Sequence, residues 1–350
     1  MEIKEMIRKI TAGRDLTADE ADAAASFLME GKATDSQISA LLVALHMKGE
    51  TPDEIYGFAR AMRRKAASVP LRENSVIDTC GTGGDGSGSF NVSTLSAIVA
   101  AAAGCRVAKH GNRSITSRCG SADLLQSLGV QIELNPEGIA ACVEKTGIGF
   151  LFAPRLHPAM KYAAGPRKEL GIRTIFNILG PLTNPAGARR QLIGVFHPAL
   201  TKVVAQVLRN LGSEHVLVVH GEDGLDEMSL SCQTQVHELR DGRLHGFTVT
   251  PEEMGFPRYR KEDFKGGDPD VNAEIARRVL GKEKNPCRDM VLLNAGAVIY
   301  VSGLADSIAS GIGMAEDAID SGKAGLKLDA LVECSRSLGL DEAFRNPDGV

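Results

Sequence analysis

Tryptophan is absent from the 350 residues, and phenylalanine, tyrosine and tryptophan together make up only 4%. So few aromatics argue against stacking platforms for nucleic-acid bases. The formal net charge is -4, so no global basic signal points to nucleic acid or to a membrane surface. The seven cysteines are scattered, odd in number and never spaced C-x-x-C, which fits reduced thiols rather than a disulfide frame or a zinc site. No uninterrupted apolar run is long enough to span a bilayer. The start, MEIKEMIRKI, lacks the apolar centre of a signal peptide. The chain also has no G-x-S-x-G elbow, no H-E-x-x-H and no evident Ser-His-Asp order. These absences lead to the expectation of a cytoplasmic protein with no nucleic-acid and no membrane partner, working by binding and charge neutralisation rather than covalent catalysis.

What is present is an ordinary globular composition, 43% hydrophobic and 24% charged, in a chain long enough for one large domain or two smaller ones. Residues 1–70 read as helices only. Ile3, Met6, Ile7 and Ile10 recur at helical spacing. Thr17 with Glu20, Thr34 with Gln37, and Thr51 with Glu54 then form three capping boxes, the last with Pro52 at the first helical position. Leu41, Leu42 and Leu45 mark a buried helix face. Packing or dimerisation is the role expected of this bundle.

From residue 75 strands and helices alternate, which implies a mainly parallel central sheet covered by helices. Strands are expected at 75–79, 106–108, 148–152, 191–196 and 215–219, and a hairpin over 235–249 turning at Asp241-Gly242. The fold class is therefore α/β, with a small all-helical domain at 1–70 and a larger α/β domain at 71–350. The interval 158–188 resists the alternation, because Gly180, Pro181 and Pro185 stop any helix. Part of it is a candidate to cross back to the N-terminal helices and line a cleft.

Four stretches carry candidate chemistry. The first, Val76 to Thr94, is a short apolar run, a loop with five glycines and the start of an alanine-rich helix. Glycines let the backbone approach a ligand, and successive exposed N–H groups make an anion-binding concavity. It reads as a phosphate cradle of neither common fingerprint, Rossmann or Walker; a Walker loop would need a lysine before Ser or Thr. A flexible linker is the bland alternative, and the flanking apolar segments disfavour it. The second, Lys109-His110-Gly111-Asn112-Arg113-Ser114 with Ser121-Ala122-Asp123, follows a strand at the edge where open α/β sheets bind ligands. It could fold over a polyphosphate; otherwise it is a solvated loop. The third, Asp223 to Ser229, sets Asp226 beside Glu227, a pair that can share Mg²⁺ with phosphate oxygens. Alone, such a pair is more often a solvated turn. The fourth, Ala153 to Met160 with Arg167, offers a planar cation for a carboxylate. From spacing alone Arg167 reads as a surface or capping arginine.

Taken together, GTGGDGSGSFNVST, KHGNRS with GSAD, RKELGIRTIFNILGPLTNPA and DGLDEMS occur in an order that resembles the anthranilate phosphoribosyltransferases of tryptophan biosynthesis. The resemblance covers essentially the whole length, including NAGAVIY near the end. It implies transfer of the phosphoribosyl group of 5-phosphoribosyl 1-pyrophosphate (PRPP) to the amine of anthranilate. The products are N-(5-phosphoribosyl)anthranilate and pyrophosphate, in the second step of tryptophan synthesis from chorismate. It implies Mg²⁺, two ions per subunit, held by Ser93, Asp226 and Glu227. It places PRPP on Gly81, Gly84, Asp85, Ser89, Asn91, Val92, Ser93 and Thr94. A covering loop of Lys109, His110, Gly111, Asn112, Arg113, Ser114, Ile115, Thr116 and Ser117, with Ser121, completes that site. It places anthranilate near Gly81, Asn112, His157, Arg167 and Pro181, with His110 lining the same pocket. Lys109, Asp226 and Glu227 would carry the electrostatic catalysis, and no residue stands out as a general base. It also implies a homodimer through the N-terminal helices; association with anthranilate synthase stays open. Cys119 departs from the small hydroxyl residue frequent at its place. The rivals are a nucleoside phosphorylase of the same fold, which shares the GTGG run, and a nucleic-acid-binding paralogue without the metal pair.

Overall fold

The computed structural model describes residues 2–72, 75–114 and 118–345. The chain opens with helices α1 (Ile3–Thr11), α2 (Ala18–Met29), α3 (Asp35–Lys48) and α4 (Pro52–Lys65). All three expected capping boxes form with both halves in place, at Thr17–Glu20, Thr34–Gln37 and Thr51–Glu54. Each threonine hydroxyl satisfies one orphan amide of its helix, worth about 1 kcal/mol. Helix α2 lies against α4 and α1 against α3.

Strand and helix then alternate: β1 (Ile77–Gly81), α5 (Val92–Ala102), β2 (Val107–Gly111), α6 (Ser121–Ser127), α7 (Pro136–Thr146) and β3 (Ile148–Phe152). Three helices follow, α8 (Ala153–Leu156), α9 (Lys161–Leu170) and α10 (Phe176–Leu179). Next come β4 (Arg190–Gly194), α11 (Ala199–Asn210), β5 (His215–Gly221), β6 (Thr234–Arg240) and β7 (Arg243–Val249). The chain closes with α12 (Pro269–Leu280), α13 (Pro286–Ser302), α14 (Ile308–Asp320) and α15 (Lys323–Arg345). The strand at 148–152 falls as expected, the ends of the others move by up to three residues, and the shift matters at β2, which runs on through Lys109 and His110. The hairpin turns at Asp241 and Gly242, whose φ values of 51° and 75° suit a tight two-residue connection.

The seven strands form one sheet in the order β3-β2-β1-β4-β5-β6-β7. Strands β3 to β5 along that order are parallel, and the hairpin β6–β7 adds two antiparallel strands at one edge. Chain order reverses between β1 and β4, so the carboxyl ends of these strands border the crevice where open α/β sheets bind ligands. Alternation along the strands divides the core. Leu192, Leu217 and Val219 join one apolar cluster with α5 and α13. Ile193, Val195, Val216 and Val218 join a second, with α11 and the N-terminal helices. Ala163, Ile175, Phe176, Ile178, Leu179 and Leu182 belong to that second cluster, so the segment after residue 158 does cross back to the bundle. No helix among the described residues is long and apolar enough to cross a membrane.

Candidate active site

The glycine loop leaves β1 at the switch point. Four glycines, Gly83, Gly84, Gly86 and Gly88, take φ between 64° and 73°, the left-handed region that side chains disfavour. Its start is tied down by Thr82 N–H donating to Gly194 O at 2.9 Å. Its end is tied by Phe90 N–H to Phe264 O and Gly266 N–H to Gly88 O. Between the ties, the amides of Gly84, Asp85, Gly86 and Gly88 have no acceptor among the described residues. That open run of donors is an anion cradle. The spacing Gly81-x-Gly83-x-x-Gly86 does match the dinucleotide fingerprint, contrary to the reading above. What separates this loop from it is the helix, which opens only at Val92. Nor do all the helix's first amides face a ligand: Ser93 N–H donates to Glu227 Oε1 at 3.1 Å. Thr94 sits inside, its hydroxyl buried and without a partner among the described residues. Ser89 bridges to Lys265, and Asn91 is held between Cys119 O and Asn272.

Asp226 and Glu227 hang from the loop after β5 and close the crevice from the far side. Asp226 Oδ2 accepts from Gly83 N–H at 2.8 Å. A methyl group on Gly81 would meet that oxygen at 2.2 Å, and one on Gly194 would meet the Asp226 backbone oxygen at 1.5 Å. Glycine is therefore required at the ends of both β1 and β4 for the acidic loop to seat. Burial, and then the charge of Asp85, push the Asp226 carboxyl up to about 7. Burial, and then Asp226, raise Glu227 well above its ordinary value, with Lys109 acting against them. Asp85 Oδ2 is buried with no hydrogen-bond partner among the described residues.

Strands β1 and β2 part company beside this cluster. Their ladder has the single register pair Ile77↔Val107, while β1–β4 and β2–β3 each run through all five residues. Side chains take over the unmade ladder bonds. Lys109 Nζ donates to Thr79 O at 2.6 Å, and His110 N–H donates to Asp78 Oδ1 at 3.0 Å. Asn184 Nδ2–H donates to Ala108 O at 2.8 Å. Lys109 is thus only 2% exposed and also bonds Ser93 Oγ at 3.3 Å. The segment expected to cover the phosphates as a loop from Lys109 therefore begins, at Lys109 and His110, as strand β2.

The covering segment starts at Gly111, where a methyl group would strike Ser121 Oγ and the Phe150 ring. Ser121 Oγ–H donates to Asn112 O at 3.3 Å. Arg113 is paired with Asp123 at 2.8 Å and bonded to Gln126, so it faces helix α6. Ser114 N–H donates to Asp123 Oδ2. Ile115, Thr116 and Ser117 lie outside the described residues.

On the other side of β2, His110 and His157 meet Nε2 to Nε2 at 3.2 Å, both buried. His110 Nδ1 lies 3.2 Å from Gly180 O, which can only accept, so His110 carries its proton on Nδ1. Burial holds His110 down to about 3 and His157 to about 4. With both rings neutral, His110 Nε2 accepts and His157 Nε2–H donates. Pro181 is buried next to Gly180, its carbonyl accepting from Gln191 Nε2–H at 2.8 Å. The Arg167 guanidinium makes no hydrogen bond or ion pair among the described residues. Its guanidinium lies 5.2 Å over the Phe176 ring, and burial lowers its pKa.

Residues 4–66 match the helical bundle domain, and residues 73–325 the a/b domain, of a glycosyl transferase family. The chain is 51% identical to anthranilate phosphoribosyltransferase of Acetivibrio thermocellus, over 96% of this chain and 97% of that one. The chain belongs to the anthranilate phosphoribosyltransferase family. The crystal structure of the Thermus thermophilus member, 46% identical, superposes with a TM-score of 0.90 over 95% of this chain and 99% of that one. The Saccharomyces cerevisiae member in complex with PRPP and Mg, 28% identical, does so at 0.88 over 96% and 98%.

The donor set fits Mg²⁺. The cluster offers hard oxygens from Asp85, Asp226, Glu227 and Ser93, with crowded negative charge and one carboxylate oxygen unpartnered. Among the described residues no group of three His, Cys, Asp or Glu makes a ready-made metal cage. Mg²⁺ characteristically takes one or two carboxylates and fills its remaining positions with water and phosphate oxygens.

Sequence reasoning missed Asp78, Asn184 and Arg173. Arg173 donates to Gly84 O and stacks 4.3 Å over Phe196, tying the crossing segment to the cradle. A charged residue inside the apolar run Val76-Ile77-Asp78 was a legible signal. For Arg173 the sequence holds none.

Proposed function

We infer that the crevice catalyses the reaction of its family. The anthranilate nitrogen attacks C1 of PRPP, the bond from C1 to the pyrophosphate oxygen breaks, and the amine proton is lost to give N-(5-phosphoribosyl)anthranilate. The observation that carries this reading is the open run of amide donors set against partner-starved carboxylates across one crevice. Neither half is stable chemistry alone, and a polyphosphate with its cations completes both.

In this reading the amides of Gly84 to Gly88, with Ser89, Asn91, Val92, Ser93 and Thr94, grip PRPP. Gly111 to Ser117 and Ser121 cover it. Ser93, Asp226 and Glu227 would hold two Mg²⁺ ions, with Asp85 alongside. Bound there, Mg²⁺ would neutralise the charge that gathers on departing pyrophosphate. Lys109 acts from below, its ammonium fixed by Thr79 O and Ser93 and offsetting the carboxylates beside it. The ribosyl carbon becomes cation-like as the bond to oxygen lengthens, so a weakly basic amine suffices as nucleophile. Anthranilate lies by Gly81, Asn112, His157 and Pro181, with its carboxylate on Arg167. The neutral His110–His157 pair presents an acceptor rather than a charge to that pocket. The protein works in the cytoplasm as a homodimer through its helical part, with no nucleic-acid or membrane partner.

Turnover with anthranilate, PRPP and Mg²⁺, omitting each in turn, tests the reading through the loss of anthranilate fluorescence. All three should be required. Phosphorolysis of a pyrimidine nucleoside in place of this reaction would overturn it.

A further inference from the structure

Asp78, the second residue of β1, is 0% exposed and makes no ion pair among the described residues. Its Oδ1 accepts His110 N–H at 3.0 Å, and its Oδ2 lies 3.5 Å from the Cys80 thiol. Burying a carboxylate with so little compensation costs stability, and a plain packing role would be met better by an apolar or amide side chain. Burial raises its pKa, and the Lys109 ammonium is the foremost influence pulling the other way, followed by the Asn184 amide. The position is informative as well. Asp78 stands one residue past the last register pair of β1 with β2, where the two strands part. From there on, the β2 backbone meets side chains instead of a neighbouring strand. Past the parting and Ala108, β2 carries Lys109, whose ammonium lies by Ser93 Oγ, and His110, whose ring engages His157 and Gly180.

We propose that Asp78 is a positioning residue for both substrates of the reaction inferred above, on which this role rests. Its oxygen fixes the His110 backbone, and so the ring that meets His157 on the acceptor side. Its charge keeps the Lys109 ammonium at Thr79 O and Ser93 on the donor side. One buried group thereby sets two side chains that point to different halves of the crevice. It touches neither substrate.

Two substitutions separate the functions. Asp78→Asn keeps an oxygen for His110 N–H and removes the charge. Asp78→Ala removes both. The first should lower kcat/KM for PRPP about tenfold while leaving the Michaelis constant for anthranilate within about twofold. The second should add a rise of about fivefold or more in the anthranilate constant. A readout independent of turnover is the ¹⁵N-imidazole spectrum without substrates. His110 protonated at Nδ1 and His157 at Nε2 should persist in Asp78→Asn and be lost in Asp78→Ala. The proposal is overturned if both variants keep that tautomer pattern, if Asp78→Asn leaves kcat/KM for PRPP within about twofold of wild type, or if it raises the Michaelis constant for anthranilate as much as it lowers kcat/KM for PRPP. Should Asp78→Ala not fold, Asp78→Asn decides alone by the same split. Wild-type protein that fails to turn over anthranilate and PRPP would sink the reaction, while the tautomer pattern would still decide the positioning of His110.

Discussion

Two buried acidic sites in this molecule are built on opposite plans. In the helical part, Glu54 is 0% exposed and fully engaged. It accepts from Leu16 N–H at 2.9 Å and Thr51 N–H at 2.8 Å, and pairs with Lys48 at 3.0 Å. Lys48 spends its remaining donors on Asp15 and Gly49 O, and although burial opposes it, Asp15 and Glu54 hold its pKa above the ordinary value. At the carboxyl edge of the sheet, Asp226 and Glu227 have one amide each and mostly like charge for neighbours, and their pKa values stay raised although the Lys109 ammonium opposes this at Glu227. A carboxylate kept for stability comes with its counter-charge. One kept for a ligand waits for it, at a cost to the free protein.

The sharpest way to break this contrast is to neutralise each site in turn. Asp226→Asn with Glu227→Gln should lower Mg²⁺-dependent turnover by roughly 10³-fold or more, the scale of losing direct charge stabilisation in the transition state. The thermal midpoint should hold or rise, because like-charge crowding is relieved. Near-normal activity would remove the metal role from these residues. Glu54→Ala should do the reverse. It should cost about 3 kcal/mol of folding stability by stranding Lys48 and two amides, while both Michaelis constants stay within about twofold. A denaturation midpoint unchanged from wild type would show that the Glu54 network is ornamental.

The same contrast governs what could be read before the fold was known. The Glu54 site was legible in part, as the capping box Thr51–Glu54, because those bonds join residues three apart, whereas Leu16 lies 38 residues away. The glycine loop, the Asp226–Glu227 pair and the alternation of strands were legible for the same reason: each is local. Asp78, Asn184 and Arg173 act only once β1 and β2 have parted and the crossing segment has come back over the cradle. Arg173 and Gly84 are 89 residues apart. Lys109 was read as part of a loop, since nothing local says that β2 continues three residues further and turns that side chain inward. The need for glycine at 81 and 194 is likewise visible only when Asp226 is seen lying on both.

Arg167 sharpens the comparison from the acceptor side, as a cation with no counter-ion among the described residues, where the foremost charged neighbour of Asp226 is the carboxylate of Asp85. Arg167→Ala should raise the Michaelis constant for anthranilate by roughly ten- to a hundredfold, the worth of a charge-assisted pair, and that for PRPP much less. Equal rises in both, or none, would assign the residue to packing on Phe176 alone.

The smallest effect expected is in the pH dependence of stability, and it concerns the histidine pair. Folded His110 and His157 titrate near 3 and 4, below the ordinary value of 6.5 that the unfolded chain keeps. A base with a depressed folded pKa gives stability that is whole above about 6.5. That stability is lost as pH falls through the folded values, because the unfolded state takes up the proton first. Between pH 6.5 and 4 the wild-type unfolding free energy should therefore fall more steeply than that of His157→Asn, whose amide can still donate to His110 Nε2. Carboxylates elsewhere titrate alike in both proteins and cancel in the difference. Parallel curves for wild type and His157→Asn, measured by urea denaturation at each pH, would mean that the pair is not buried neutral, and the tautomer assignment that makes His157 Nε2 a donor would go with it.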